Sequence, residues 1–294
     1  MKDLIANHRL IDGKAVAARI LESCRSYCDA NPSLPNLVSI SIGDVPEVEV
    51  YMRNQARGAA RAGIGFDQRN WPSDISQDEA KARIQAMNDD PGVLGIILQR
   101  PVPDHINVRS LQSAIHPLKD VEGMNPASIG NIVYSDVALA PCTAAASVEL
   151  IKETGLELKG LEVVMIGHSE IVGKPAAMML VAEGATVTVC HHMTRSVAMH
   201  SRRADVVVVA VGIANFLGPD MIKPGAAVID IGINQITQDG ETRIVGDVDT
   251  DAVKPVAGWI TPVPGGVGPV TVAILMRNAT VAHQRLHAAG WLES

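Results

Sequence analysis

The residues best placed to do chemistry lie in Glu162 to Pro175, read as EVVMIGHSEIVGKP. An apolar run the length of a buried strand breaks at Gly167 and passes through His168, Ser169 and Glu170. It then restarts as a helix with Pro175 in its first turn. A strand, a glycine turn and a helix N-terminus together make an anion pocket. Free backbone N–H groups and the positive end of the helix dipole point at the turn. The spacing is G-x-S-x-x-x-G, from Gly167 through Ser169 to Gly173, and the generic dinucleotide fingerprint G-x-G-x-x-G is not met. Taken alone, the turn serves equally as a cradle for a nucleotide diphosphate or as a βα turn that needs glycine only for backbone geometry.

Three basic side chains accompany it: His168 in the turn, and His192 and Arg195 after the following strand. That strand closes as Val189-Cys190-His191-His192, with no acidic residue to hold a free ribose diol. The pattern favours NADP, whose 2′-phosphate wants basic neighbours. NAD stays open, because histidine is mostly neutral at pH 7. Elsewhere, Gln99 closes the strand Val93 to Leu98 just before a proline-rich break, which exposes its amide as a ligand reader. Tyr51, on its residue context alone, reads as a core tyrosine with a satisfied hydroxyl. Arg53, Arg57 and Arg61 share one helix face and read as a solvated row, with docking of a polyanionic tail as the sharper alternative.

The elements that must position these groups follow a strand–helix cadence. Apolar runs at 185–190, 205–211 and 226–231 follow the turn, each ending in small or polar residues. Runs apolar on both faces predict a parallel sheet covered by helices, with ligands at the strands' C-terminal edge. Upstream, the pattern predicts helices over 15–30, 50–63, 78–89 and 111–115, strands over 37–42, 65–70 and 93–98, and a linking helix over 144–154. Downstream, Thr261 to Pro269 is too rich in glycine and proline for helix or central strand. A long helix over 270–289 then returns to the first domain. The predicted fold is α/β with two α/β domains, residues 1–143 plus 270–294 and residues 144–269. The second is a Rossmann-type doubly wound sheet.

The chain has 294 residues and a formal net charge of −7, which argues against a nucleic-acid protein. No stretch reaches the roughly 18 uncharged apolar residues of a membrane span, and the N-terminus shows no leader pattern. Of the cysteines Cys24, Cys28, Cys142 and Cys190, the first two are four apart on a helix, but no partner stands at zinc-ligand spacing. Free thiols in a reducing cytoplasm, and no metal, are the expectation.

Block by block, the sequence resembles the methylenetetrahydrofolate dehydrogenase/cyclohydrolase family over nearly its whole length. The blocks are the helix around Tyr51, Gly95 to Gln99 with the prolines after it, His116 to Gly123, Pro141-Cys142-Thr143, Gly167 to Pro175, Asp230 to Asn234, Gly246-Asp247-Val248, and Thr261 to Pro269. The resemblance implies a Rossmann-type domain binding NADP or NAD, a folate cleft between the domains, and a homodimer. It implies oxidation of 5,10-methylenetetrahydrofolate followed by hydrolysis of the methenyl product. Carried over by position, Gly167, His168, Ser169, Gly173 and Ile233 would line the dinucleotide. Tyr51, Gln99, Asp120 and Glu122 would face the pterin. The loop Pro262 to Pro269, with Pro264, Gly265 and Gly266, would border substrate and nicotinamide.

The departures from that pattern are specific. The family's S-x-x-Y-x-x-x-K reads Val48, Tyr51 and Gln55; its K-D-V-D-G ends in Glu122-Gly123; its P-C-T-P continues into Ala144; Arg100 follows Gln99; and Leu94 stands where an aspartate is common. Hydride transfer from the methylene carbon leaves a cation spread over two nitrogens. It needs placement, not a base. Hydrolysis needs water activated and protons moved, work for a titratable group. The family's lysine does that work, and Gln55 cannot titrate. The expectation is a dehydrogenase with weak or lost cyclohydrolase activity, with Tyr51, Gln55, Gln99 and Glu122 at the reacting centre. The alternatives are a dehydrogenase for another reduced pterin, suggested by Glu122, and a dinucleotide-binding relative without turnover.

Overall fold

The computed structural model describes residues 9–238 and 241–292. The chain divides into two compact units. One comprises residues up to Ala17 with Thr143–Thr271, and the other comprises Ala18–Cys142 with the residues from Val272 onward.

The first unit is built on a six-stranded sheet in the order Arg9–Leu10, Trp259–Ile260, Ala227–Asp230, Val206–Val209, Glu162–Ile166, Thr186–Cys190. Every pairing is parallel. The valine-rich strands 206–209 and 227–230 are buried throughout, as strands covered on both faces must be. Their side chains form a core with Val164, Ile166, Leu217, Val248, Val253 and Ile260. The chain leaves Glu162–Ile166 for the edge strand Thr186–Cys190, then crosses to Val206–Val209 on the other side. The strand order therefore reverses at the C-terminal end of Glu162–Ile166, where doubly wound sheets open a ligand crevice. The predicted strands of this unit all form, one or two residues shorter at their ends.

Two features of this unit differ from the sequence reading. Residues 1–17 were expected in the first domain, but Arg9–Leu10 pairs with Trp259–Ile260 at the edge of this sheet. The backbone N–H of Ile11 continues the ladder to Ile260. A two-residue strand has no apolar run to announce it, so only the pairing reveals where it belongs. An antiparallel hairpin, Asn234–Gln238 with Glu241–Val245, also forms where no element was expected. Its second strand is exposed at four of five positions, which removes the hydrophobic alternation that signals a strand.

The second unit holds a three-stranded parallel sheet with Asn36–Ile42 between Phe66–Trp71 and Val93–Leu98. Its core joins Val38, Ile40, Ile42, Ile84, Ile96, Leu98 and Leu111. Around it run helices Gly13–Asp29, Pro46–Ala62, Gln77–Asn88, Val108–Ala114 and Pro126–Val133. Helix Pro46–Ala62 starts on proline and stops at Gly63, whose φ of 78° supplies the left-handed C-cap. The long helix Val267–Ala288 crosses from one unit's sequence into the other's, and from Val272 it packs in this unit. Asn278 donates through Nδ2 to the carbonyls of Val121 and Ala140, and Arg285 makes a two-pronged bridge to Asp136. The expected return of the C-terminal helix is thus the device that fixes the 120s and 140s loops.

Candidate active site

On the pterin side, the strand Val93–Leu98 delivers Gln99, whose N–H extends the ladder to Ile40 O at 2.8 Å. With its backbone pinned, Gln99 Nε2 donates to Ser39 Oγ at 2.9 Å and to Gln55 Oε1 at 2.6 Å. Gln55 lies one helical turn after Tyr51, so the two share a face, and the Gln55 side chain is near enough to the tyrosine hydroxyl to work against the rise in its pKa. A neutral chain of Ser39, Gln99 and Gln55 results, with Tyr51 one turn away on the same helix face. Gln55 is 1% exposed and Gln99 4%. Tyr51 keeps 41% of its surface open. Burial, aided by Cys142 and Glu122, pushes the phenol well above its usual range, against Gln55 and Arg100. Ser39 escaped the sequence reading because a serine inside an apolar strand carries no pattern of its own.

Glu122 is half-buried, and its Oε2 accepts the Leu98 N–H at 2.9 Å. Burial raises its carboxyl to about 7, opposed by Arg100 and the Leu98 bond and helped by Asp120. Arg100, unexpected after the glutamine, is therefore the cation that faces this acid. Cys142 donates weakly to Val121 O, and burial holds its thiol well above the usual range, so it stays protonated.

Two sequence expectations change here. Asp120, expected to face the pterin, is 1% exposed and fully engaged. Its Oδ1 accepts Met124 N, and its Oδ2 accepts Asn125 N and Ser128 Oγ. It is a turn-forming carboxylate that fixes the loop carrying Glu122 and offers no oxygen to a ligand. Leu94, where an aspartate is common, is fully buried inside its strand and is core, not a substrate-side change.

Arg53, Arg57 and Arg61 are exposed, as the solvated reading had it. Arg53 also lines a cavity of about 370 Å³ with Asp44 and Glu49, acidic company that disfavours a polyanion there.

On the dinucleotide side, Gly167 has φ 120°, and a side chain there would strike the carbonyl of Ala210, after the neighbouring strand. A Cβ on Gly173 would meet the carbonyl oxygen of Gly167 and come within 2.9 Å of His168 Cα. The G-x-S-x-x-x-G spacing thus brings the turn back onto the first residue of helix Gly173–Ala182. Ser169 Oγ accepts the N–H groups of Val172 and Gly173 at 3.2 and 3.3 Å, capping that helix. His168 and His192 come together, with ring centroids 5.6 Å apart. His191, which the sequence did not single out, stacks on His168 at 4.7 Å.

Two buried aspartates hold the other loops at this edge. Asp247 accepts N–H groups from Val211, Gly212 and Ile213 and the Asn234 amide. Asp230 accepts those of Gly232, Asp247 and Val248. Ile233 is 69% exposed on the loop so fixed. The loop expected to run to Pro269 ends at Gly266, because the helix starts at Val267 with Pro269 tolerated in its first turn; the loop is anchored by Thr261 Oγ1, which accepts Asp230 N at 2.7 Å. Gly265 takes φ 109°, and Gly266 packs on the Pro262 carbonyl. Pro264 follows a cis peptide bond. Glycine turn, helix N-terminus and exposed imidazoles fit a dinucleotide phosphate.

Two family models match in chain order. Residues 11–122 match the catalytic domain of tetrahydrofolate dehydrogenase/cyclohydrolase, and residues 141–287 its NAD(P)-binding domain. The chain is 78% identical over 284 residues to bifunctional protein FolD 3 of Roseobacter denitrificans, covering 96% of this chain and 98% of the relative. Among solved structures, it is similar to the bifunctional FolD methylenetetrahydrofolate dehydrogenase/cyclohydrolase of Campylobacter jejuni, with TM-score 0.91 and 37% identity over 95% of this chain and 99% of that one. It is also similar to the Trypanosoma brucei FolD complexed with NADP cofactor and inhibitor, with TM-score 0.88 and 34% identity over 95% and 98%. The paired family models, the two-unit α/β fold and the sites carried by both units lead to one conclusion: the chain belongs to the tetrahydrofolate dehydrogenase/cyclohydrolase family.

Proposed function

We propose that the protein transfers hydride from 5,10-methylenetetrahydrofolate to NADP, giving 5,10-methenyltetrahydrofolate, and hydrolyses that product weakly or not at all. Membership of the family and its NAD(P)-binding domain carry the dehydrogenase half. One observation carries the second half: the position of the family's lysine holds a buried glutamine whose carbonyl already accepts from Gln99 Nε2.

NADP, when bound, accepts the hydride. The protein's part is placement. Gly167 and Gly173 let the backbone approach the phosphates, while His168, His192 and Arg195 are the basic side chains offered to a 2′-phosphate. Ile233 and the Pro264-Gly265-Gly266 loop border the nicotinamide. The Tyr51 ring offers a stacking face to the pterin, and Gln99 and Glu122 offer polar atoms to its edge. Loss of hydride leaves a cation, which the Glu122 carboxylate and the neutral amides tolerate. No proton leaves the carbon, so an amide network suffices.

Glu122 supports the folate reading over a different pterin. Its extra methylene is taken up by folding back on the Leu98 N–H, and the neighbouring change at Leu94 is core. The same residue favours a second reading of the hydrolytic half. A carboxyl raised to about 7 beside the site is a titratable group that could serve water in place of the lysine. The test is a spectrophotometric assay following reduced nicotinamide and methenyl product separately. Methenyl that accumulates at the rate of NADPH supports the proposal, and its rapid enzymatic decay supports the Glu122 reading.

We carry the homodimer as part of this proposal, to be checked by light scattering. Cytoplasmic residence belongs to it too, supported by four free cysteines. Among the described residues, no helix is long and apolar enough to cross a membrane.

A further inference from the structure

We propose that His168, His191 and His192 form a binding site for a divalent transition-metal ion of the zinc class. One ring nitrogen from each lies within 4.8 Å of those of the other two. The three backbones are held rigidly. Ile166 and Cys190, the residues just before this cluster, are paired in register, and Gly167 N donates to Cys190 O at 2.8 Å. Beyond Cys190 the chain closes a turn, with Thr194 N on His191 O at 2.8 Å and His191 N on Thr194 Oγ1 at 2.9 Å. Two strand ends thus present three imidazoles to one point in space, and no linear ligand spacing in the sequence reveals it. The sequence expectation of no metal rested on cysteine spacing and did not consider this pairing.

The chemistry of the set suits such an ion. Imidazole nitrogens are the ligands zinc, nickel and copper share. Nitrogens at about 2.0–2.1 Å from a tetrahedral zinc stand roughly 3.3 Å apart, so the rings must close by small rotations. His168 and His192 are exposed and free of packing that would prevent this. His191 Nδ1 now accepts Met193 N at 3.2 Å, a long bond that a metal ion at Nδ1 replaces. Lys174, the nearby cation, is exposed and can swing its ammonium away. Three protein ligands leave a fourth position open to water. The site shares His168 and His192 with the proposed 2′-phosphate contacts, so NADP and the ion would compete for them, and binding of the bare ion to NADP-free protein tests the site on its own.

The experiment titrates metal-free, full-length protein with zinc chloride by calorimetry, and with cobalt(II) followed by visible absorption. One ion per chain, with a four- or five-coordinate cobalt spectrum lacking thiolate bands, is expected. His191→Gln should weaken binding at least about tenfold, the scale on which zinc sites respond to loss of a supporting group. Imidazole signals of the wild type should shift for these three histidines on adding zinc, which keeps the test valid if the variant misfolds. No saturable binding, a cobalt–thiolate band, or unchanged affinity in a folded His191→Gln variant overturns the proposal.

Discussion

In the proposed reading, Gln55 and Glu122 divide the chemistry between them. Gln55→Lys places a titratable amine beside Tyr51 and Gln99 and should raise methenyl hydrolysis by about a hundredfold, the low end of what positioned acid–base groups supply. Hydride transfer should change far less. Stopped-flow decay of methenyltetrahydrofolate reads the first quantity and NADPH formation the second; an unchanged decay rate would mean the lysine position is not the lever. Glu122 makes a stability prediction as well. Its folded carboxyl is raised from 4.5 to about 7, so the fold favours the protonated form. Its contribution is therefore full below the unfolded value and is lost as pH rises through about 7. Melting temperature measured from pH 5 to 8 should fall more for wild type than for Glu122→Gln. At this scale the sequence was informative where a residue type was itself the message, as with Gln55. It misled at Asp120, because two carboxylates two residues apart look alike until burial commits one to backbone N–H groups.

The turn from strand Glu162–Ile166 into helix Gly173–Ala182 is the element on which cofactor binding rests. A methyl at Gly173 would overlap Gly167 and His168, so Gly173→Ala must push the turn outward. Overpacking of this kind costs about 1–3 kcal/mol. The expected result is an NADP affinity at least about fivefold weaker in a fluorescence titration, with folate affinity unaltered; equal NADP binding would show that the turn does not cradle the phosphates. A second prediction concerns the loops held by Asp247. Asp247→Ala strands the N–H groups of Val211, Gly212 and Ile213, and should lower unfolding free energy by at least about 3 kcal/mol in urea. The strands of this unit were legible because continuous apolar runs bounded by glycine have few other homes. The hairpin Asn234–Val245 was not, since its exposed residues alternate nothing. The histidine cluster was not, since it exists only through the register of two strands.

For the whole molecule, the family's two domains are present in order, and the departures fall almost entirely on the pterin side. Its parallel strand–helix build and helix return were readable because repeated strand–helix units restrict the topology. The assignment of residues 1–17 was not, because two paired residues at a sheet edge carry no sequence signal. The central claim is that placement survives while water activation is lost. The most direct measurement is a single time course of purified protein with methylenetetrahydrofolate and NADP, in a buffer where free methenyl product is long-lived. NADPH and methenyltetrahydrofolate rising together, one for one, is the predicted result. NADPH accumulating while methenyl is consumed faster than in buffer alone would contradict it.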